Sequence, residues 1–245
     1  MIVAMIALAL GLIPHRPPAP GIIRRHDRPD SIYLALGRRF PAVGGFGRIG
    51  DGTLIGSRWV LTAAHVAQAA GRREANFTIG GGRYAIAGIY LHPKWAEMGP
   101  HDIALVQLTD SVRGVRPLPL FRGDREAAKV AVIVGQGGTG VGLSRERVED
   151  DDARGATTRV DSTDANWLYF SFDAPPAGTD AEGAPGPGDS GGPALLETGG
   201  AFFVAGVSSG GFDGWRGPGT YGAIDLFTRV STHLTWIERI LKGSG

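Results

Sequence analysis

From residue 22 onward the chain is a series of short apolar segments, punctuated at close intervals by Gly, Pro and Asp. Glycine supplies 40 of the 245 residues, roughly twice its usual share of about 7%. Because glycine clusters between apolar runs, it points to many turns and bulges, and so to an all-β protein. Strands are expected over 52–56, 58–63, 84–91, 103–108, 130–135, 167–172, 193–197 and 201–208, all rich in Val, Ile, Leu, Phe or Tyr. Turn signals at such short spacing favour a sandwich or a barrel. Helix signals are few. Ala63–Ala70 fits one short helical turn, and Ser231 can cap a C-terminal helix running to about Leu241, with Leu234, Ile237 and Leu241 on one face. The segment Ser144–Thr158 (SRERVEDDDARGATT) reads as a solvated charged loop. Its carboxylates cluster, but the Asp-x-Asp-x-Asp-Gly spacing of a calcium loop is missing.

The chain is long enough to bury a substantial core. Its 25 basic and 24 acidic residues nearly cancel, which gives no reason to expect nucleic acid or an anionic surface as the main partner. There is no cysteine, so disulfides, thiolate metal sites and a cysteine nucleophile are excluded. Met1–Ile13 (MIVAMIALALGLI) is continuously apolar and is followed by the breaker-rich PHRPPAPG. That run falls short of the roughly 20 residues of a bilayer span and suits a signal-peptide core. The n-region lacks the usual Lys or Arg and no small-x-small cleavage site stands out, so a buried N-terminal segment is the alternative. Export, to the periplasm or outside the cell, is the expectation.

Three segments carry chemistry: Leu61-Thr-Ala-Ala-His65, His101-Asp102-Ile-Ala-Leu105 and Gly188-Asp-Ser190-Gly-Gly-Pro193. Hydrolysis of an acyl group needs a nucleophile, a base to take its proton, an anion to orient that base, and donors for the oxyanion. Ser190, His65 and Asp102 are the residue types for the first three. Glycines around Ser190 allow a tight turn in which the amides of Gly188 and Ser190 converge on one spot. Each segment alone has a plain structural reading, as a turn serine, a packed histidine or a strand-opening aspartate. The three together, in His-Asp-Ser order, make chance a poor explanation. His15, His26, His92, His101 and His233 lack comparable surroundings and read as structural or exposed.

With these neighbours the chain resembles the chymotrypsin/trypsin-like serine peptidase family, as a cysteine-free, bacterial-type member, over roughly residues 22–242. Gly52 through His65 is similar to the family's approach to its catalytic histidine, and His92-Pro93 through Leu105 to its aspartate region. Gly135-Gln-Gly137 is similar to the turn opening its second half, Gly188–Pro193 to its serine motif, and Gly206-Val-Ser208 to the strand edge that binds substrate backbone. Thr228-Arg-Val through Trp236-Ile237 resembles its last strand and helix. The resemblance implies two packed six-stranded antiparallel β-barrels with a C-terminal helix. Residues 1–21 would be a leader, 22–122 the barrel bearing His65 and Asp102, and 123–245 the barrel bearing Ser190. It implies a serine endopeptidase working through an acyl-enzyme, with a polypeptide substrate, an activating protease, no cofactor, no metal and no lasting membrane association. A non-catalytic binding homologue and an esterase using the same triad are the alternatives.

The resemblance also assigns lesser roles. Ile22 would become a freed amine that pairs with Asp189, although Arg24-Arg25 follows Ile22-Ile23 where the family has two glycines. The mature chain is then expected to begin at Ile22 or Ile23. Ser208 is expected to donate to Asp102. Ala184, six positions before Ser190, stands where trypsin-like members carry an aspartate. Ser209 takes a position where an aromatic is common, and Gly210 leaves the pocket mouth open. Asp225 either falls on the pocket wall, which favours a basic P1 side chain, or ends a strand, which leaves a small or apolar P1.

Overall fold

The computed structural model describes residues 22–243 except Met98, Glu149, Asp151 and Pro187. The expected leader, residues 1–21, therefore lies outside the described residues. Two seven-stranded antiparallel sheets dominate. The first orders Gly82–Tyr84, Phe77–Ile79, Val43–Gly45, Asp51–Gly56, Trp59–Thr62, Ala104–Leu108 and Ile86–Leu91. The second orders Arg154–Arg159, Val130–Gly135, Pro193–Thr198, Ala201–Phe212, Ile224–Arg229, Trp167–Ser171 and Ser162–Thr163. In both, the two edge strands are consecutive in the chain, separated by a single residue in the first and by two in the second. Each sheet must curl until its edges nearly meet, which is how an antiparallel sheet removes exposed edges.

Seven strands replace the six expected per barrel because short ribbons join each edge. The anticipated strand 84–91 breaks at Ala85, so that Gly82–Tyr84 and Ile86–Leu91 lie at opposite edges of one sheet. A third, small sheet orders Gly140–Val141, Ile23–Arg24 and Gly183–Ala184. It clips the start of the described chain onto the segment that leads to Ser190.

A continuous core joins the two large sheets. Leu54, Val60, Leu61 and Leu105 of the first pack in one cluster with Val134, Leu195, Val204 and Val207 of the second. A second cluster inside the second sheet holds Ile133, Leu168, Phe170 and Phe227, all nearly inaccessible to solvent. Without cysteine, this burial supplies the stability, at about 1.5–3 kcal/mol per large apolar side chain removed from water.

Helix α1 (Asp30–Gly37) has no counterpart in the sequence expectations. It packs on Arg154–Arg159, where the buried Arg154 guanidinium makes two 2.8 Å bonds to Asp30 and bonds of 2.8 and 2.6 Å to Asp150. This corrects the loop reading of 144–158: its last five residues belong to a strand, and Asp150 serves a guanidinium. Helix α2 (Ala64–Arg72) forms on the alanine-rich AHVAQAA, alanine being the best helix former. Helix α3 (Leu234–Gly243) follows a 3₁₀ turn at Ser231–His233 and buries Trp236 and Ile237. Ser231 does not cap it; its hydroxyl donates to Glu126 at 2.8 Å. Among the described residues no helix is long and apolar enough to cross a membrane.

Candidate active site

Strand register brings the first two residues together. In the antiparallel pair Trp59–Thr62 and Ala104–Leu108, Thr62 faces Ala104. The chain leaves the first strand toward His65 at the same end from which Asp102 leads into the second. Both main chain and ring of His65 then reach one carboxylate: the His65 N–H donates to Asp102 Oδ1 at 3.0 Å, and Nδ1 lies 2.7 Å from Oδ2. An anion facing Nδ1 keeps the ring proton there, leaving Nε2 with its lone pair. Asp102 is 4% exposed. Burial alone would lift its carboxyl, but the bonds from His65 and Ser209 outweigh it and hold the group below the ordinary carboxylate range.

The third donor corrects an expectation. Ser209 Oγ donates to Asp102 Oδ2 at 2.6 Å; the hydroxyl of Ser208 does not. A β-bulge between Ser208 and Gly210 breaks the pairing with Ile224–Arg229, so that one extra residue re-aims the side chains along the strand. Thr228, read in the sequence only as part of the last strand, adds a 2.9 Å bond from its hydroxyl to the Asp102 carbonyl.

Ser190 stands on a turn tied to both sheets. The Asp51 N–H donates to the Ser190 carbonyl at 2.7 Å, and the Gly191 N–H to the Ser208 carbonyl at 2.8 Å. Gly188 and Gly191 have φ of 105° and 85°, the left-handed region that only glycine enters freely. At Gly191 a Cβ would also run into the Thr62 hydroxyl and the Asp51 carbonyl. Among the described residues the N–H groups of Gly188 and Ser190 have no acceptor, and no hydrogen bond joins the Ser190 hydroxyl to the His65 ring. Such contacts are often long before a substrate is bound.

A cavity of about 210 Å³ opens beside Ser190, lined by Ser208, Gly210, Gly211, Phe212 and Asp225 among others. The Asp225 side chain has no hydrogen-bonding or ionic partner among the described residues, although its backbone is paired in the sheet. Burial, then the negative charge of Asp189, pushes its carboxyl well above the ordinary range. Ala184 is not part of the lining; it pairs with Ile23 and packs with Phe172 and Ala223. Ile22 and Ile23 are both buried, at 1% and 0% exposure. Asp189 accepts N–H bonds from Gly186 at 3.0 Å and Gly137 at 3.3 Å. Burial outweighs these bonds and pushes its carboxyl up to about 8. Asp51, a second buried carboxylic acid that no sequence signal marked, is raised by burial and by Asp189.

A β-fold with a serine turn, an Asp-oriented histidine and an adjoining pocket defines the serine-hydrolase class. The trypsin family model, described as "Trypsin", matches residues 35–237, and the chain belongs to that family of serine endopeptidases. It is 26% identical to mast cell protease 2 of Ovis aries, with 93% of this chain and 99% of the relative covered. It is 28% identical to chymotrypsin-like elastase family member 1 of Homo sapiens, with 90% of each covered. Among solved structures it is similar to neuropsin, a serine protease of mouse brain, at a TM-score of 0.68 and 21% identity, covering 85% of this chain and 98% of the other.

Proposed function

We propose that the chain cleaves polypeptides on the carboxyl side of lysine or arginine through an acyl-enzyme on Ser190. Ser190 Oγ attacks the scissile carbonyl carbon while His65 Nε2 takes its proton. The N–H groups of Gly188 and Ser190 receive the oxyanion, each worth about 2.7–4 kcal/mol in comparable sites. Collapse of the tetrahedral intermediate expels the amine, which leaves with the proton from His65. Water then repeats the sequence on the ester and frees the acid. Asp102 keeps the His65 tautomer that this needs and stabilises the imidazolium. The observation that carries this reading is the two-point grip of Asp102 on His65, reinforced by Ser209.

The preference for a basic P1 residue rests on Asp225. A partly desolvated carboxylate facing a cavity without a counter-ion is stabilised most by a cation brought in by the substrate. Asp189 has an analogous need, which we assign to the amine of Ile22 after removal of residues 1–21. The buried Ile22-Ile23 segment, paired with Ala184 and Gly140, supports that assignment. The apolar leader supports export of a precursor.

A fluorogenic peptide library varied at P1, incubated with the chain beginning at Ile22, tests the proposal. Turnover is expected to concentrate on Lys and Arg and to vanish in Ser190→Ala. Cleavage after small or apolar residues, with basic ones untouched, would contradict the assignment of Asp225; ester hydrolysis without peptide cleavage would favour the esterase.

A further inference from the structure

Beside Asp102 in the chain, three histidines from distant parts of the sequence converge. His92 follows the strand Ile86–Leu91, His101 immediately precedes Asp102, and His233 ends the 3₁₀ turn before α3. His101 Nδ1 lies 2.9 Å from His233 Nε2. His233 Nδ1 is 2.7 Å from the Arg229 carbonyl oxygen, which only accepts, so it carries the ring proton and leaves Nε2 bare toward His101. The His92 ring stacks on His101 with centroids 4.7 Å apart and meets His233 edge-on at 5.0 Å. One ring nitrogen from each lies within 4.8 Å of the other two.

The geometry points to a three-histidine site for a single divalent transition-metal ion, zinc being the reference, formed by His92, His101 and His233. Three imidazoles without a carboxylate select zinc, nickel or copper over calcium or magnesium, which want oxygen. Zinc–nitrogen bonds of about 2.0–2.1 Å at a tetrahedral angle place two ligand atoms roughly 3.3 Å apart. That separation lies between the 2.9 Å of the His101–His233 pair and the 4.8 Å outer limit of the cluster, so modest side-chain rotation suffices. Water would fill the fourth position.

The rings are suited to the task before any metal arrives. His233 already has the carbonyl partner that orients metal-binding histidines. The Lys94 N–H reaches His92 Nδ1 at 3.3 Å, a long contact that yields when the ring proton moves to Nδ1 and frees Nε2. Lys94 and Arg239 place positive charge near His92 and weaken binding without supplying a rival ligand. His101 itself is held at φ 65°, an uncommon conformation for a residue with a side chain. A bound ion would fasten the segment leading into Asp102 to the start of α3.

The test titrates Zn²⁺ into the Ser190→Ala chain, which cannot digest itself, against a chromophoric chelator. One equivalent is expected to bind, and His92→Ala and His101→Ala should each weaken it at least tenfold, since even outer partners of metal ligands cost about 10–100-fold. His65→Ala should leave the affinity unchanged, because its ring is bonded to Asp102 and is not one of the three converging rings. Zn²⁺ should also raise the Tm of the Ser190→Ala chain but not of its His92→Ala derivative, a partly exposed site where the fold survives. Absence of binding, binding that persists in both His92→Ala and His101→Ala, or binding lost with His65→Ala would overturn the site. None of these outcomes depends on proteolysis.

Discussion

Two groups of buried acids in this molecule are treated in opposite ways. Asp102 is surrounded by donors: the His65 amide, the His65 ring and the Ser209 hydroxyl all reach its oxygens, and its carboxyl stays below the ordinary range despite burial. Around Ser190, Asp51, Asp189 and Asp225 are buried or half-buried with fewer donors, and burial raises all three. The difference is one of completeness. The first acid has its partners built into the fold, so it is an ionised, fixed element of the site. The second group lacks a cation, and in the proposed function two come from outside the folded body, as a substrate side chain at Asp225 and a freed amine at Asp189.

The largest effect expected from disturbing this contrast is at Asp102. Asp102→Asn should lower kcat by about 10⁴, as wrong-tautomer variants of such triads do, and steady-state kinetics on a Lys-containing peptide will read it. A loss of less than tenfold would mean that the carboxylate does not orient His65. Next comes Asp225→Asn. Truncating one partner of a desolvated charge pair costs about 2–5 kcal/mol, so kcat/KM for basic P1 should fall on the order of 10²–10³-fold, while kcat/KM for an alanine P1 stays level or rises. An equal fall for both substrates would take Asp225 out of specificity.

A smaller effect separates two neighbours. Ser209→Ala removes a hydrogen bond to a charged group, worth about 1.5–3 kcal/mol, and should reduce kcat by about tenfold to a hundredfold. Ser208→Ala should change it less than threefold, within the range of a neutral substitution of about 0.5 kcal/mol. The reverse order would place the bulge one residue earlier than described.

The smallest effect is a slope. Asp189 titrates near 8 when folded but near an ordinary 3.9 when unfolded. Between those values the native state holds a proton that the unfolded state has released, so stability falls as pH rises. The chain still carrying residues 1–21 should therefore lose stability from pH 5 to 7, with Asp189 itself contributing up to about 1.4 kcal/mol per unit. Urea unfolding at the two pH values measures this. Removal of residues 1–21 should flatten the slope, because a paired amine returns Asp189 to its ionised form.

The sequence was most legible where one contiguous motif holds both a residue and its setting. Glycines 188, 191 and 192 around Ser190, and the apolar run into His65, could be read without a fold. Strand Val130–Gly135 was visible because both its faces are buried and it is apolar throughout. Strands of three residues, such as Val43–Gly45 and Phe77–Ile79, carry too little pattern of their own and form because longer neighbours bind them. Arg154 was misread since charge normally means solvent, and only the folded chain reveals the two aspartates that let a guanidinium be buried. The Ser209 contact hinges on a bulge, which shifts register by one residue without leaving a composition signal. The histidine cluster is the extreme case, with members 9 and 132 positions apart.

The most direct measurement is labelling by an active-site-directed fluorophosphonate, mapped by peptide mass spectrometry on the chain that starts at Ile22. The account predicts one label per molecule, on Ser190, abolished in Ser190→Ala and strongly slowed in His65→Ala. Labelling at another serine, or an unlabelled Ser190 in folded protein, would contradict it.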